Sequence, residues 1–207
     1  LNIALIGNPG TGKTTVAQII SEVYKENGIF EVGHIIKAKA DDLIGQYIGQ
    51  TAVKTAEIIE KAIGGVLFID EAYKLTKTDN PFGEEAVNSL VEAMTERAGE
   101  FAVIIAGYPN EINQFLESNP GLNRRFANQI IMKDYEPDVL ENIFRDKMKK
   151  DGYTFDEEME ELFPHFIKNW FEARDEEKFG NAGDVINLFD DMAKNSAFDG
   201  RKILTKD

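Results

Sequence analysis

Short apolar runs alternate with amphipathic stretches along the first part of the chain. Amphipathic patterns typical of helices, such as Lys13–Tyr24 and Ala52–Ile63, lie between most of these runs. Short buried strands that alternate with helices predict a parallel sheet covered by helices on both faces. The predicted strands are Asn2–Gly7, His34–Lys39, Val66–Asp70, Ala102–Gly107 and Gln129–Met132.

The pattern changes near Asp134, after which apolar residues recur at helical spacing in three stretches. Asp156 is positioned to cap the second stretch, and Pro164 is expected to kink or interrupt it. We therefore predict an αβα core domain over residues 1–134 and a small α-helical domain over residues 135–207.

Composition excludes several classes of protein. The 207 residues include no cysteine, which rules out disulfides and Cys-based zinc sites. The two histidines are far apart in sequence and are expected to be structural. The formal net charge of −14 disfavours nucleic-acid binding, because that binding depends on Lys and Arg that neutralise phosphates. No run of 18 or more apolar residues occurs, so membrane insertion is not expected.

Residues 7–14 have the sequence GNPGTGKT, which matches the phosphate-loop pattern G-x-x-x-x-G-K-[ST]. Its glycines let backbone N–H groups turn toward phosphate oxygens, and the helix that follows adds its dipole. Lys13 supplies a charge to the phosphates of ATP, and Thr14 supplies a hydroxyl to Mg²⁺. The alternative is an ordinary Gly-rich turn, but a chance match has a probability of only about 0.01. The predicted ATP-binding residues are Asn8, Pro9, Gly10, Thr11, Gly12, Lys13, Thr14 and Thr15.

The predicted strand Val66–Asp70 ends in two consecutive carboxylates, Asp70 and Glu71. Ligands of open α/β sheets bind at the carboxyl edge of the strands. Asp70 is predicted to hold Mg²⁺, and Glu71 is predicted to polarise the water that attacks ATP. The alternative is an ordinary strand end exposed to solvent. The phosphate loop that precedes this strand in the sequence disfavours that alternative.

Six blocks occur in one order along the chain: GNPGTGKT, GQYIGQTAVKT, GGVLFIDEAY, FGEEAVNSLVEAMTE, VIIAGY and NPGLNRRF. The match that they define runs from about Asn2 to Ala197. In this order they resemble the AAA+ ATPases, most closely the branch of red-type Rubisco activase and stage V sporulation protein K. The resemblance implies a P-loop NTPase core with a five-stranded parallel sheet and a small α-helical lid. It also implies hydrolysis of ATP with Mg²⁺ and self-association into a ring, usually a hexamer.

The resemblance assigns Tyr47, Ile48 and Gly49 to an aromatic pore loop. An aromatic side chain at the centre of a ring can grip a polypeptide without recognising its sequence. The alternative is a surface aromatic residue in a Gly-rich turn.

The resemblance further assigns residues near the γ-phosphate. Arg124 and Arg125 lie in the region of the arginine finger, and Arg125 is the better positional match. A surface basic pair is the alternative. Tyr108 and Asn110 are the two candidates for the polar residue that orients water after the fourth strand, where a turn signal is the alternative.

The predicted lid departs from its relatives at one position. Relatives carry an arginine in a motif resembling G-N-x-R, whereas this chain has Gly183 there, followed by Asp184. A glycine offers no side chain to a phosphate, so the usual response of the lid to nucleotide is in doubt. The resemblance still implies that Asn181 and Ala182 lie near the adenine.

These features predict an ATP-driven motor that remodels a polypeptide substrate through a central pore loop. One alternative is a scaffold that binds ATP but hydrolyses it poorly, as the missing lid arginine would allow. Another is a DNA-handling loader, which the acidic charge disfavours. The chain starts on an apolar run without Met, and we interpret it as a piece of a longer cytoplasmic protein.

Overall fold

The computed structural model describes residues 1–47, 49–76, 82–176, 179–196 and 203–204. Contacts between Cα atoms divide the chain into two compact units. The first unit consists of Leu1–Gly7 and Lys13–Met132, and the second consists of Asn8–Gly12 and Lys133–Asp207. The predicted phosphate loop therefore groups with the C-terminal residues, although its chain neighbours on both sides belong to the first unit.

The first unit contains a five-stranded parallel sheet, as the sequence predicts. Its strand order is β2-β3-β4-β1-β5. The strands are β1 (Ile3–Gly7), β2 (Ile35–Lys39), β3 (Val66–Asp70), β4 (Ala102–Gly107) and β5 (Asn128–Met132). The helices are α1 (Lys13–Glu26), α2 (Ala40–Leu43), α3 (Gln50–Ala62), a 3₁₀ helix (Ala72–Thr76), α4 (Gly83–Glu96), α5 (Pro109–Glu117) and α6 (Pro120–Arg125).

Both faces of the central strands are buried, because successive side chains of a strand point to opposite faces. In β3, Leu67 and Ile69 join one apolar cluster, while Val66 and Phe68 join another. All six residues of β4 are buried. This explains why the central strands are continuous apolar runs rather than alternating ones.

The parallel sheet brings several chemically active residues to one edge. The neighbouring strands β3, β4 and β1 pair in parallel, so their carboxyl ends lie at the same edge of the sheet. β3 ends at Asp70, and Glu71 follows it. β4 ends at Gly107, and Tyr108 follows it. This edge is where α/β sheets bind their ligands.

The second unit is mainly helical and has its own aromatic core. Its elements are α7 (Pro137–Lys150), β6 (Thr154–Phe155), α8 (Glu157–Glu172), α9 (Ala182–Ser196) and β7 (Ile203–Leu204). Phe144, Phe163 and Phe189 are fully buried, and the rings of Phe144 and Phe163 lie 4.4 Å apart between centroids. The short parallel pairing of β6 with β7 was not predicted, because a two-residue strand leaves no periodic signal.

Asp156 caps α8 as predicted, accepting a hydrogen bond from the Met159 backbone N–H at 2.7 Å. The prediction was that Pro164 kinks or interrupts this helix. Interruption is wrong, because α8 runs through Pro164, while the kink stays a prediction. Pro164 lacks the N–H that would bond to the Glu160 carbonyl, but both residues are exposed. Water can therefore satisfy that carbonyl, which keeps the cost of the proline low.

In the part of the chain that the structure describes, every helix is too short or too polar to cross a lipid bilayer.

Candidate functional site

The segment between β1 and α1 has the backbone geometry that phosphate binding requires. Gly10 and Gly12 adopt φ angles of 67° and 87°, which residues with a Cβ atom avoid. Thr11 is buried, and its hydroxyl donates to the Asn8 carbonyl at 2.8 Å. The segment leads directly into α1, and the free N–H groups and dipole at the start of a helix favour an anion.

Lys13, the first residue of α1, lies among groups of both signs in the first unit. Its Nζ donates to the Gly7 carbonyl at 2.8 Å and stands 5.9 Å from the centroid of the Tyr108 ring. Burial lowers the pKa of Lys13, while the charges of Asp70 and Glu71 act in the opposite direction. The two carboxylates of the β3 end are thus close enough to Lys13 to influence its ionisation.

Glu71 is held at both carboxylate oxygens by residues that sequence reasoning missed. The Tyr73 hydroxyl donates to Oε1 at 2.9 Å, and Lys74 Nζ donates to Oε2 at 2.5 Å. Burial, followed by the bond to Glu71, raises the pKa of Tyr73 well above its ordinary value. The three-residue spacing of Glu71 and Lys74 could have indicated this ion pair, because such residues are neighbours on a helical turn.

The backbone at Glu71 is strained. Its φ of 52° lies in the left-handed region, which costs a residue other than glycine about 1–3 kcal/mol. Its N–H donates to the Asp70 Oδ1 atom at 3.0 Å. Strain of this kind is typical of functional sites.

Oxygen ligands suited to Mg²⁺ come from Thr14, in the first turn of α1, and from Asp70. Both residues are half-buried, whereas Thr15 is exposed. Among the described residues, no group of three or more His, Cys, Asp or Glu could hold a metal ion. Mg²⁺ usually binds through one or two protein oxygens together with waters and substrate phosphates, so a hydroxyl and a carboxylate fit it.

The two candidates that follow β4 differ in their surroundings. The rings of Tyr108 and Tyr73 lie 6.0 Å apart between centroids, which links Tyr108 to the residue that holds Glu71. Asn110 is exposed in the first turn of α5. Of these two residues, the structure brings Tyr108 close to Lys13.

The two candidate finger residues also differ. Arg125 is half-buried, and its guanidinium donates to the Gly121 carbonyl at 3.2 Å and to the Thr95 hydroxyl. Arg124 is exposed, and within the described ranges its guanidinium makes no hydrogen bond or ion pair. Arg125 would have to exchange its bonds to Gly121 and Thr95 in order to reach a neighbouring subunit.

The predicted pore loop presents Tyr47 to solvent with 67% of its surface exposed. Gly49 adopts a φ of 80° and caps α3, while Ile48 lies outside the described residues. The base of the loop is fastened to α3. The fully buried Thr51 accepts a hydrogen bond from the Gly45 N–H at 3.0 Å, and the fully buried Thr55 donates to the Leu43 carbonyl at 2.9 Å.

In the second unit, the predicted lid residues Asn181, Ala182 and Gly183 lie at the start of α9. Asn181 is fully buried and adopts a φ of 49°. Ala182 is the first residue of α9 and is half-buried. Gly183 is exposed, and a Cβ added there would meet no described residue beyond its chain neighbours and the backbone of its own helix. The side-chain amide of Asn181 bonds to the protein itself.

Comparison with known proteins gives two family matches. A model of the "ATPase family associated with various cellular activities (AAA)" matches residues 3–134, and a model of the "AAA lid domain" matches residues 136–199. Together with the five-stranded parallel sheet and the helical second unit, these matches confirm the predicted fold class.

Two curated proteins illustrate the relatives. The chain is 41% identical over 194 residues to protein CfxQ of Xanthobacter flavus, an alignment that covers 93% of this chain and 60% of CfxQ. It is 40% identical over 192 residues to the chloroplastic ribulose bisphosphate carboxylase/oxygenase activase of Cyanidioschyzon merolae, which covers 92% and 64% respectively. These relatives support the predicted resemblance to the Rubisco activase branch.

Among solved structures, the FIGL-1 AAA domain in complex with ADP superposes with a TM-score of 0.67. The superposition covers 96% of this chain and 62% of that one, at 19% sequence identity, and so bears on the fold alone. This chain spans about 60% of the length of CfxQ.

Proposed function

This chain belongs to the ATPase family associated with various cellular activities, and from that membership we propose that it binds ATP with Mg²⁺ and hydrolyses it. The observation that carries the proposal is the position of Lys13. It starts a helix after a glycine-rich loop, and the charges of Asp70 and Glu71 act on it. A cation and two acids at the carboxyl edge of a parallel sheet match the needs of a magnesium-bound triphosphate.

Each of these residues has one task in the proposed reaction. Lys13 exchanges the Gly7 carbonyl for phosphate oxygens. The Thr14 hydroxyl and the Asp70 carboxylate would hold Mg²⁺, and the metal would supply positive charge that neutralises the phosphates. Glu71 accepts a proton from water as that water attacks the γ-phosphorus. The bond from the γ-phosphorus to the bridging oxygen breaks, and the products are ADP and phosphate.

We further propose that the protein forms a ring and remodels a polypeptide substrate. This rests on the relatives, one of which is named as an activase of an enzyme, and on the exposed Tyr47. The hydrogen bonds of Thr51 and Thr55 fasten the loop base, so that motion of α3 would be transmitted to Tyr47. The net charge of −14 favours a polypeptide over a nucleic acid as substrate.

The nucleotide-binding part of the proposal is tested with Lys13→Ala in the intact protein. We expect the Kd for ATP, measured by calorimetry, to rise about 10–100-fold, the usual worth of a hydrogen bond between charged groups. Lys25→Ala is the matched control, because Lys25 is an exposed lysine in the last turn of the same helix. Wild-type protein that takes up no ATP would refute the proposal.

The substrate part is tested at Tyr47. We expect Tyr47→Ala to abolish the stimulation of ATP hydrolysis by an unfolded protein chain. Tyr47→Phe should retain it, because contact with the polypeptide depends on the aromatic side chain and not on its hydroxyl. The Kd for ATP should be the same in both variants. The measurement compares ATPase rates with unfolded protein and with DNA. Stimulation of the wild type by DNA alone would favour the loader function instead.

A further inference from the structure

The side chain of Asn181 uses its hydrogen-bonding groups within the second unit. Its Nδ2 donates to the Pro9 carbonyl at 3.1 Å and to Asp134 Oδ1 at 2.9 Å. Its Oδ1 accepts from the Tyr135 backbone N–H at 2.9 Å. Both amide hydrogens and the amide oxygen are therefore engaged, and the residue is fully buried. A buried amide with these partners holds other groups in place rather than recognising an adenine.

The same cluster holds the Asn8–Gly12 segment at two further points. The Asn8 side-chain amide donates to Asp134 Oδ1 at 3.0 Å and to Oδ2 at 3.3 Å. The Tyr135 hydroxyl donates to the Thr11 carbonyl at 3.0 Å. The carbonyls of Pro9 and Thr11 are thereby turned toward the side chains of Asn181 and Tyr135. The N–H groups of Gly10 and Gly12 therefore point away from these two side chains, since the C=O and N–H of one peptide unit point in opposite directions.

Close packing reinforces this attachment at Gly10. A Cβ at Gly10 would lie 2.0 Å from the Gly180 carbonyl oxygen, so only glycine fits. Gly180 is itself fixed, because its N–H donates to Asp184 Oδ2 at 2.7 Å and its carbonyl accepts from the Gly183 N–H at 2.9 Å. Asp184 thus has a structural role, because its carboxylate fixes the backbone of Gly180. It follows Gly183, the glycine that stands in place of the expected arginine.

We propose that Asn181 and Asp134 are positioning residues that hold the phosphate loop in its nucleotide-binding conformation. This inference rests on the proposed function and adds how the site is organised. The attachment runs through backbone carbonyls of the loop and involves no γ-phosphate. The attachment should therefore contribute equally to the binding of ATP and of ADP. An arginine at the position of Gly183 that contacted the γ-phosphate would instead favour ATP.

The test is Asn181→Asp in the intact protein. The substitution removes the donor to the Pro9 carbonyl and places a second carboxylate 2.9 Å from Asp134. We expect the Kd values for ATP and ADP to rise by the same factor, about tenfold, the usual cost of a buried group left unpaired. Asn187→Asp, an exposed substitution in α9 with the same change of charge, should alter neither value.

Hydrogen exchange without nucleotide supplies a second measurement. Exchange of the amides of Asn8, Gly10, Thr11 and Gly12 should become faster in Asn181→Asp, while the amide of the fully buried Phe189 in the core of the second unit remains protected. If this variant fails to fold, Asn181→Gly serves instead, because a φ of 49° suits glycine and no charge is added. The same changes in exchange and affinity are expected from it.

The double variant Asn181→Asp with Asp134→Asn removes the pair of facing carboxylates but leaves the Pro9 carbonyl without its donor, so we expect it to recover only part of the lost affinity. Loss of affinity for ATP alone, or unchanged exchange in residues 8–12, would overturn the inference. Wild-type protein that binds neither nucleotide would refute the proposed function, and the exchange result would then decide the positioning role by itself.

Discussion

Replacement of Glu71 by glutamine is expected to lower kcat for ATP hydrolysis by about 10²–10⁴-fold, the usual contribution of a positioned base. An amide has nearly the shape of a carboxylate but cannot take a proton from water. The hydroxyl of Tyr73 can still donate to the amide oxygen, so the strained turn after β3 should persist. The Kd for ATP should remain close to that of the wild type. The measurements are steady-state turnover and calorimetry on the assembled intact protein.

Glu57→Gln serves as the control for Glu71→Gln, because Glu57 is an exposed glutamate on α3 in the same unit. It should leave turnover and affinity unchanged. Equal and negligible hydrolysis by the wild type and by Glu71→Gln would contradict the proposed catalysis. That result, combined with tight ATP binding, would instead identify a nucleotide-gated scaffold.

Arg125→Ala is expected to lower turnover of the assembled ring by at least about 10³-fold, the lower end of what an arginine finger contributes. The guanidinium would stabilise charge that develops on the γ-phosphate of the neighbouring subunit. In this structure it bonds to Gly121 and to Thr95, so the proposed contact with a neighbouring subunit must replace these bonds. The measurement is kcat at a protein concentration where the ring is assembled.

Two comparisons separate a finger from a merely structural arginine. Arg124→Ala, which alters the exposed neighbour, should reduce turnover by less than about tenfold, in keeping with the small worth of most surface charges. Mixing Arg125→Ala subunits with Glu71→Gln subunits should restore part of the activity, because some sites then combine an intact Glu71 with an intact finger. A mixture without any recovery would rule out a finger that acts between subunits.

The local pattern of the chain was enough to predict the fold class. Five apolar runs separated by helical patterns gave the five strands, with ends within one residue of those in the structure. The predicted phosphate loop and the two acids Asp70 and Glu71 at the end of β3 were also evident, because each is a contiguous segment whose chemistry follows from neighbouring residues. Asp156 was correctly predicted as a helix cap for the same reason.

Only the tertiary structure revealed the partners of these segments. Asn8 bonds to Asp134 and the Pro9 carbonyl to Asn181, although 126 and 172 residues separate the partners in sequence. No periodicity or short motif records such pairs, because they depend on how distant segments pack. The same holds for the bond between Arg125 and Thr95.

The sequence by itself thus determined which elements form and was enough to predict which residues would carry the chemistry, since both depend on local propensity and on the order of residue types. The tertiary structure alone decided how those residues are held. It showed that the charges of Asp70 and Glu71 act on the pKa of Lys13, and that Tyr73 and Lys74 donate hydrogen bonds to Glu71. It also showed that the side-chain amide of Asn181 is engaged in hydrogen bonds within the protein. The physical reason is that burial and charge at a site are set by neighbours in space, which the linear order of the chain does not specify.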